Sequence, residues 1–261
     1  MGRQMGISGH SRALRAVVLA WAITWFGPGY AAGTPDTSGA SDPAGPAEPF
    51  GLFAARLSGG GLLAKWLGVQ RRLEDEMVQL ALCEGDRDGC VSSAALQFLA
   101  IVDAAKARDG RARLGAINRA INLAIRPMSD LAQYGEIDVW SSPLATLARG
   151  AGDCEDYAIA KFVALQLAGL SPDDLRIVIM RDTIRGEDHA VAAARLDGRW
   201  LTLDNRRMAM VEDAQIRNSQ PTFVIDRDGV KRYEEAPMPV LADLNLVSEA
   251  ADHSGPETAP M

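Results

Sequence analysis

The stretch Gly152-Asp153-Cys154-Glu155-Asp156-Tyr157 marks the point where the sequence changes character. Upstream, residues 60–127 carry apolar side chains at helical spacings of three and four. Leu63, Trp66, Leu67, Val69 and Leu73 lead into Met77, Leu80 and Leu82. A second run spans Ala94 to Ala107 and a third Ala112 to Ile125, closed by Pro127. Asp153 to Ala168 reads as a strongly apolar helix, ended by Gly169. Beyond it the period becomes strand-like over Leu175–Met180, His189–Leu196, Trp200–Leu203 and Thr222–Ile225. Asp197-Gly198 and Asp228-Gly229 are hairpin-turn signals. Helices first and antiparallel strands afterwards indicate an α+β fold without internal repeats.

Asp153 is a good helix N-cap, so Cys154 falls in the first turn of the helix. There, backbone N–H groups favour a thiolate, the nucleophilic form of the side chain. A base is needed, and of three histidines His10 and His253 lie near the termini, leaving His189. A two-residue turn at Asp197-Gly198 pairs Leu196 with Arg199, which sets Val191 opposite Asp204 and His189 opposite Arg206. His189 is then diagonal to Asp204, ~7–8 Å away at the backbone and within side-chain reach. Cys154, His189 and Asp204 thus read as nucleophile, base and orienting acid. A bulge in the hairpin would break this register, and a lone strand histidine is otherwise commonly structural.

Asp153, Glu155 and Asp156 crowd the same thiol, and uncompensated carboxylates raise a thiol pKa. A hard cation such as Ca²⁺ held by these three acids would remove the conflict. The alternative is one cap and two solvated acids favoured by the helix dipole. Two other acidic runs fail as EF-hand loops. Glu84-x-Asp86-x-Asp88-Gly89 has Ala95 where a Glu is required, and Asp226-x-Asp228-Gly229 lacks the pattern. Trp140, in a loop about a dozen residues before the helix, is a candidate substrate-groove wall or a core aromatic.

Composition is that of a globular domain, with 48% hydrophobic and 23% charged residues. The net charge of −7 argues against a nucleic-acid partner. Residues 1–32 have the layout of a secretory signal. Arg3, Arg12 and Arg15 precede an apolar run from Ala16 to Phe26, and Gly29-Tyr30-Ala31 follows. The run is short of the about 20 residues that span a bilayer, and an uncleaved anchor is the alternative. Cleavage would leave a chain near −10, with 24 basic against 34 acidic residues. Residues 33–59 read as a disordered linker, 60–233 as the folded domain and 234–261 as a loose acidic tail. In an oxidising compartment Cys83 and Cys90 are expected to close a small disulfide loop, the alternative being two buried thiols. Cys154 is left unpaired.

The Gly152–Lys161 block resembles the bacterial transglutaminase-like cysteine proteinases, of which the LapG-type periplasmic proteases are the best-known members. Trp140-x-x-Pro143, Asp188-His189-Ala190-Val191 and Leu203-Asp204-Asn205-Arg206 share that resemblance, which covers about residues 60–233. It implies a papain/transglutaminase-like fold, an N-terminal helical lobe with a Cys-bearing helix packed on an antiparallel sheet. It implies the roles just given to Cys154, His189 and Asp204, and a calcium site at the acids flanking the cysteine, Asp153 and Glu155, with Asp156 beside them. The family's substrate is the N-terminal region of a large surface adhesin, whose cutting releases it from the outer membrane. Its partner is an inner-membrane cyclic-diguanylate receptor that sequesters the periplasmic protease. Two features depart from the pattern: Ala145, where an acid is expected, and the Cys83/Cys90 pair. Other readings of the residues are a transglutaminase-like acyl transferase, an amidase acting on peptidoglycan, and a binding module with a dead site.

Overall fold

The computed structural model describes residues 48–234. The expected signal segment lies outside these residues, as do most of the expected linker and tail. In chain order the strands are β1 (Phe53–Arg56), β2 (Arg126–Pro127), β3 (Ala151–Gly152), β4 (Leu175–Asp182), β5 (Glu187–Leu196), β6 (Arg199–Leu203), β7 (Val211–Glu212), β8 (Ser219–Asp226) and β9 (Gly229–Glu234). The helices are α1 (Gly61–Gly85), α2 (Ser93–Lys106), α3 (Gly110–Ala124), α4 (Asp130–Tyr134), α5 (Pro143–Arg149) and α6 (Cys154–Leu167). Seven strands form one antiparallel sheet in the order β1-β9-β8-β4-β5-β6-β7, and β2 and β3 form a separate parallel pair. This is the expected α+β fold. None of the described helices is long and apolar enough to cross a membrane.

The main core lies between the helices and one sheet face. Ile177, Ile179, Ala190, Ala192 and Leu203 meet Ile159, Phe162 and Val163 of α6, with Trp66 edge-on to Phe162 at 6.1 Å. The alternate residues Val178, Met180, Val191, Ala193 and Trp200 form a smaller cluster on the opposite face. Phe50, Ala54 and Tyr233 cover it. Residues 48–59 are therefore part of the fold and not linker. Gly, Pro and Ser dominate the composition around them, yet Phe50 and Ala54 are apolar and β1 pairs with β9 at an edge. The helical stretches fall within a residue or two of expectation. Ser92 caps α2 by accepting from the Ala95 N–H at 3.2 Å. Cys83 and Cys90 form the expected disulfide.

Glu48, at the start of the described residues, anchors a buried ion network. Glu48 bonds Arg176 (2.5 Å) and Lys231 (2.9 Å), and Lys231 reaches Asp226 at 2.7 Å. Burial works to raise the Asp226 carboxyl, but Lys231, the Asp228 N–H and Arg176 together hold it below the ordinary carboxylate range. A folded-state pKa below the unfolded one stabilises fully above about pH 4 and is lost as pH falls through the folded value. Asp226→Asn, which keeps an acceptor for the turn N–H groups, is expected to cost about 2 kcal/mol at pH 7. That gap should narrow at pH 3, as the pH falls toward the folded value. Denaturant melts at both pH values check this, and an equal gap at each would refute it.

Candidate active site

The short β2–β3 pair sets the start of α6. Arg126 N–H bonds Gly150 O and Met128 N–H bonds Gly152 O, each at 3.0 Å, and the Tyr157 hydroxyl donates to Ile125 O. Gly152 is required by close approach, since a Cβ there would lie 2.8 Å from Asp156 Cβ and 3.1 Å from Thr146 Cγ2. Cys154 then enters the first turn of α6, half-buried and the free cysteine of the described residues. Asp153 stands at the N-cap position but makes no side-chain cap bond. Asp156 instead reaches back to the Asp153 N–H, and it accepts from the Ser141 N–H at 2.7 Å. The expected Asp153 cap bond is thus not made, and the Asp153 carboxyl turns to its acidic neighbours, bonding Glu155.

The hairpin keeps the expected register from Leu196↔Arg199 to Ala192↔Leu203. Asp197 and Gly198, both at positive φ (51° and 77°), make the tight turn. Beyond Leu203 the ladder stops. Asp204 leaves the sheet, and its Oδ1 lies 2.9 Å from His189 Nε2. The contact is therefore made by a loop residue and not by a paired strand position. Burial works to raise the Asp204 carboxyl, but His189, the Arg206 N–H and Lys161 hold it below the ordinary range. An ionised carboxylate only accepts, so His189 Nε2 carries the hydrogen. His189 is 4% exposed, and its Nδ1 is buried without a partner.

The structure brings His189 and Asp204 together, and places Cys154 against the next residue, whose Ala190 N–H favours the thiolate. Among the described contacts Cys154 is not bonded to His189. Its thiol donates to Glu155 Oε2 at 2.8 Å. Burial first, then Glu155, push the thiol pKa upward, so the acidic flank opposes the helix effect in the expected direction. A cleft of about 500 Å³ is lined by His189, Asp204, Met180, Thr202, Arg206 and Arg217, and Cys154 is not among its walls.

Glu155 bonds both Asp153 and the thiol, but is not among the carboxylates whose ligand oxygens converge. Asp153 and Asp156 gather instead with Asp130, their ligand oxygens all within 4.8 Å of one another. One oxygen of each is buried with no hydrogen-bond partner: Asp130 Oδ1, Asp153 Oδ1 and Asp156 Oδ2. Burial, then Glu155, Asp156 and Asp130, push Asp153 up to about 9, and burial pushes Asp156 up to about 6. Three converging, orphaned carboxylate oxygens suit a hard divalent cation. Asp130 was missed because it lies 23 residues from Asp153 at the start of a five-residue helix, carried there by β2–β3 pairing. Trp140, read from sequence as a groove wall or a core aromatic, is 6% exposed in the main core. It borders a separate hollow with Arg72, Tyr134 and Arg149. The departure at Ala145 also has a local counterpart. Glu76 of α1 accepts from the Leu144 and Ala145 N–H groups at 3.0 and 3.2 Å, placing an acid at the α5 N-terminus from another helix.

Residues 76–224, more than half of the chain, match the family described as bacterial transglutaminase-like cysteine proteinase. Solved structures of Legionella pneumophila LapG share the fold. One superposes with a TM-score of 0.50 at 22% identity, covering 60% of this chain and 86% of that one. The calcium-bound form gives 0.51 at 21% identity, covering 63% and 91%. The EGTA-treated form gives 0.50 at 22% identity, covering 60% and 84%. No curated protein matches the chain significantly.

Proposed function

The chain belongs to the bacterial transglutaminase-like cysteine proteinases, and from that premise we propose that it is a calcium-dependent periplasmic cysteine endopeptidase that cuts the N-terminal region of a large cell-surface adhesin. The observation that carries the reading is the His189–Asp204 pair at 2.9 Å, with His189 Nδ1 buried and unpartnered beside the strand residue that contacts Cys154. Asp204 holds the proton on Nε2, which leaves Nδ1 as the base. Nδ1 takes the Cys154 proton, and the thiolate adds to the scissile carbonyl. On collapse the amine leaves with the proton from His189, and a thioester remains on Cys154. Water, deprotonated by His189, then hydrolyses the thioester and restores the thiol.

Asp130, Asp153 and Asp156 would hold the calcium ion, whose charge offsets the carboxylates crowding the thiol. The support for calcium is the fit of three orphaned oxygens and the existence of LapG in a calcium-bound form. The adhesin substrate, the periplasmic location and the cyclic-diguanylate receptor are carried over from the family resemblance, and co-purification with such a receptor tests the last. Because the same thioester serves acyl transfer, the decisive experiment follows both products. With calcium present, a thiol-directed probe is expected to label wild type and not Cys154→Ala. A recombinant adhesin N-terminal fragment should be cut without incorporating added amine. Excess EGTA should abolish cutting and calcium restore it. Full cutting in EGTA would overturn the calcium requirement, and amine incorporation in place of cutting would make the protein a transferase.

A further inference from the structure

Lys161 is a lysine with 0% exposure, two helical turns beyond Cys154 on the same side of α6 and set among its apolar residues. Burying an amine is costly, and such a group persists where its hydrogen bond is needed. Its Nζ donates to Leu203 O at 3.1 Å, the carbonyl just before Asp204. That carbonyl sits where the β5–β6 ladder ends, opposite Ala192. From there to Met208 the backbone is gripped from the helical layer. Asn122 donates to Asp204 O at 3.0 Å and to Arg207 O at 3.1 Å. Asn118, also fully buried, donates to Arg207 O and Met208 O, each at 3.1 Å. α3 and α6 thus hold the carbonyls of Leu203, Asp204, Arg207 and Met208, in the segment that carries the orienting acid, through side chains that the chemistry above does not employ.

We infer that Lys161, with Asn122 and Asn118, is a positioning residue: it fixes the loop so that the Asp204 carboxylate meets His189, and through that pair it sets the reactivity of Cys154. The inference rests on the triad reading given above. The charged and titratable groups facing Lys161 are Asp204, which favours its charged form, and the Tyr157 ring, 5.7 Å below the amine. Burial, the larger influence, lowers the Lys161 pKa to about 7. The amine donates a hydrogen bond in either protonation state, so the clamp works on both sides of that value.

The test is the rate of Cys154 alkylation by iodoacetamide from pH 5 to 9, in the calcium-loaded mature chain, with folding followed by circular dichroism. Wild type, Asp204→Asn, Lys161→Met and Asn122→Ala are compared. Lys161→Met keeps the aliphatic volume and removes the donor. It is expected to slow alkylation at neutral pH by about 10- to 100-fold in folded protein, the scale of a small misplacement of a catalytic group. Its rate–pH profile should move in the same sense as that of Asp204→Asn, with Asn122→Ala between it and wild type. A merely structural lysine would lower the melting temperature and leave the profile of the folded fraction where it was. A folded Lys161→Met that reproduces the wild-type profile, while Asp204→Asn is slowed, overturns the clamp. If Lys161→Met does not fold, an unmoved Asn122→Ala profile overturns it equally. Wild-type Cys154 no more reactive than a free thiol would instead bring down the triad reading, a distinguishable failure.

Discussion

Asp204→Asn is expected to lower turnover by about 10³- to 10⁴-fold, the scale of losing an orienting acid from a nucleophile–base–acid site. The loss follows from which ring nitrogen carries the hydrogen. Asp204, held ionised below the ordinary carboxylate range, accepts from His189 Nε2 at 2.9 Å and leaves Nδ1 as the basic lone pair. An asparagine at 204 presents an NH₂ group to the ring as readily as an oxygen. Once it donates, Nε2 becomes the acceptor and the hydrogen moves to Nδ1, the nitrogen that has to accept from Cys154. The Arg206 N–H bonds the same Asp204 Oδ1 at 2.9 Å and gives up that acceptor when the NH₂ faces the ring, the loss of a single exposed loop bond. The fold should therefore survive while the chemistry does not. Cleavage kinetics and thiol labelling on protein of wild-type circular dichroism check this. Activity within tenfold of wild type would remove Asp204 from the proposed mechanism.

The placement of these side chains shows which parts of the site are legible in the sequence and which are not. Cys154 and His189 are legible because local rules place them, one at a helix start and the other at a fixed count from an Asp-Gly turn. That count brings Asp204 near His189 even though the ladder ends one residue short of it, because a loop residue still lies beside the strand it has just left. The large helices and central strands are legible for the same reason, being long and periodic. β1 and β9 are not: β1 (Phe53–Arg56) is a short, partly buried edge strand, and β9, announced only by its Asp228-Gly229 turn, carries Lys231, Arg232 and Glu234 among its six residues. Asp130 is invisible because its neighbours are created by a two-residue parallel bridge with no sequence signature. Glu155 is placed by a simpler rule. Adjacent helical residues point in different directions, so its carboxylate bonds the thiol and Asp153 while Asp156 turns to Ser141. Trp140 follows burial, the strongest general tendency of its side chain, over the role that proximity to Cys154 had suggested.

Asp130 supplies the second large expected effect, and one that separates the structural ligand set from the sequence-based one. Asp130→Asn removes one of three converging charges while retaining an acceptor for the Val139 N–H, which now bonds Asp130 Oδ2 at 2.5 Å. Calcium affinity depends strongly on the number of charged oxygen ligands, so titration calorimetry should show the variant binding calcium at least about 100-fold more weakly. At a calcium concentration 100 times the wild-type dissociation constant, wild type gains about 2.7 kcal/mol of stability by mass action, and the variant should gain almost none. The signs differ without calcium. Asp153 and Asp156 are each pushed upward in part by the charge of Asp130, so neutralising Asp130 relieves repulsion. The calcium-free variant should melt at or above calcium-free wild type. Glu155→Gln should weaken calcium binding less than Asp130→Asn, because Glu155 bonds Asp153 and Cys154 but is not among the three converging ligand oxygens. Loss of calcium binding in Glu155→Gln with retention in Asp130→Asn would reverse the assignment and return the site to the acids flanking the cysteine.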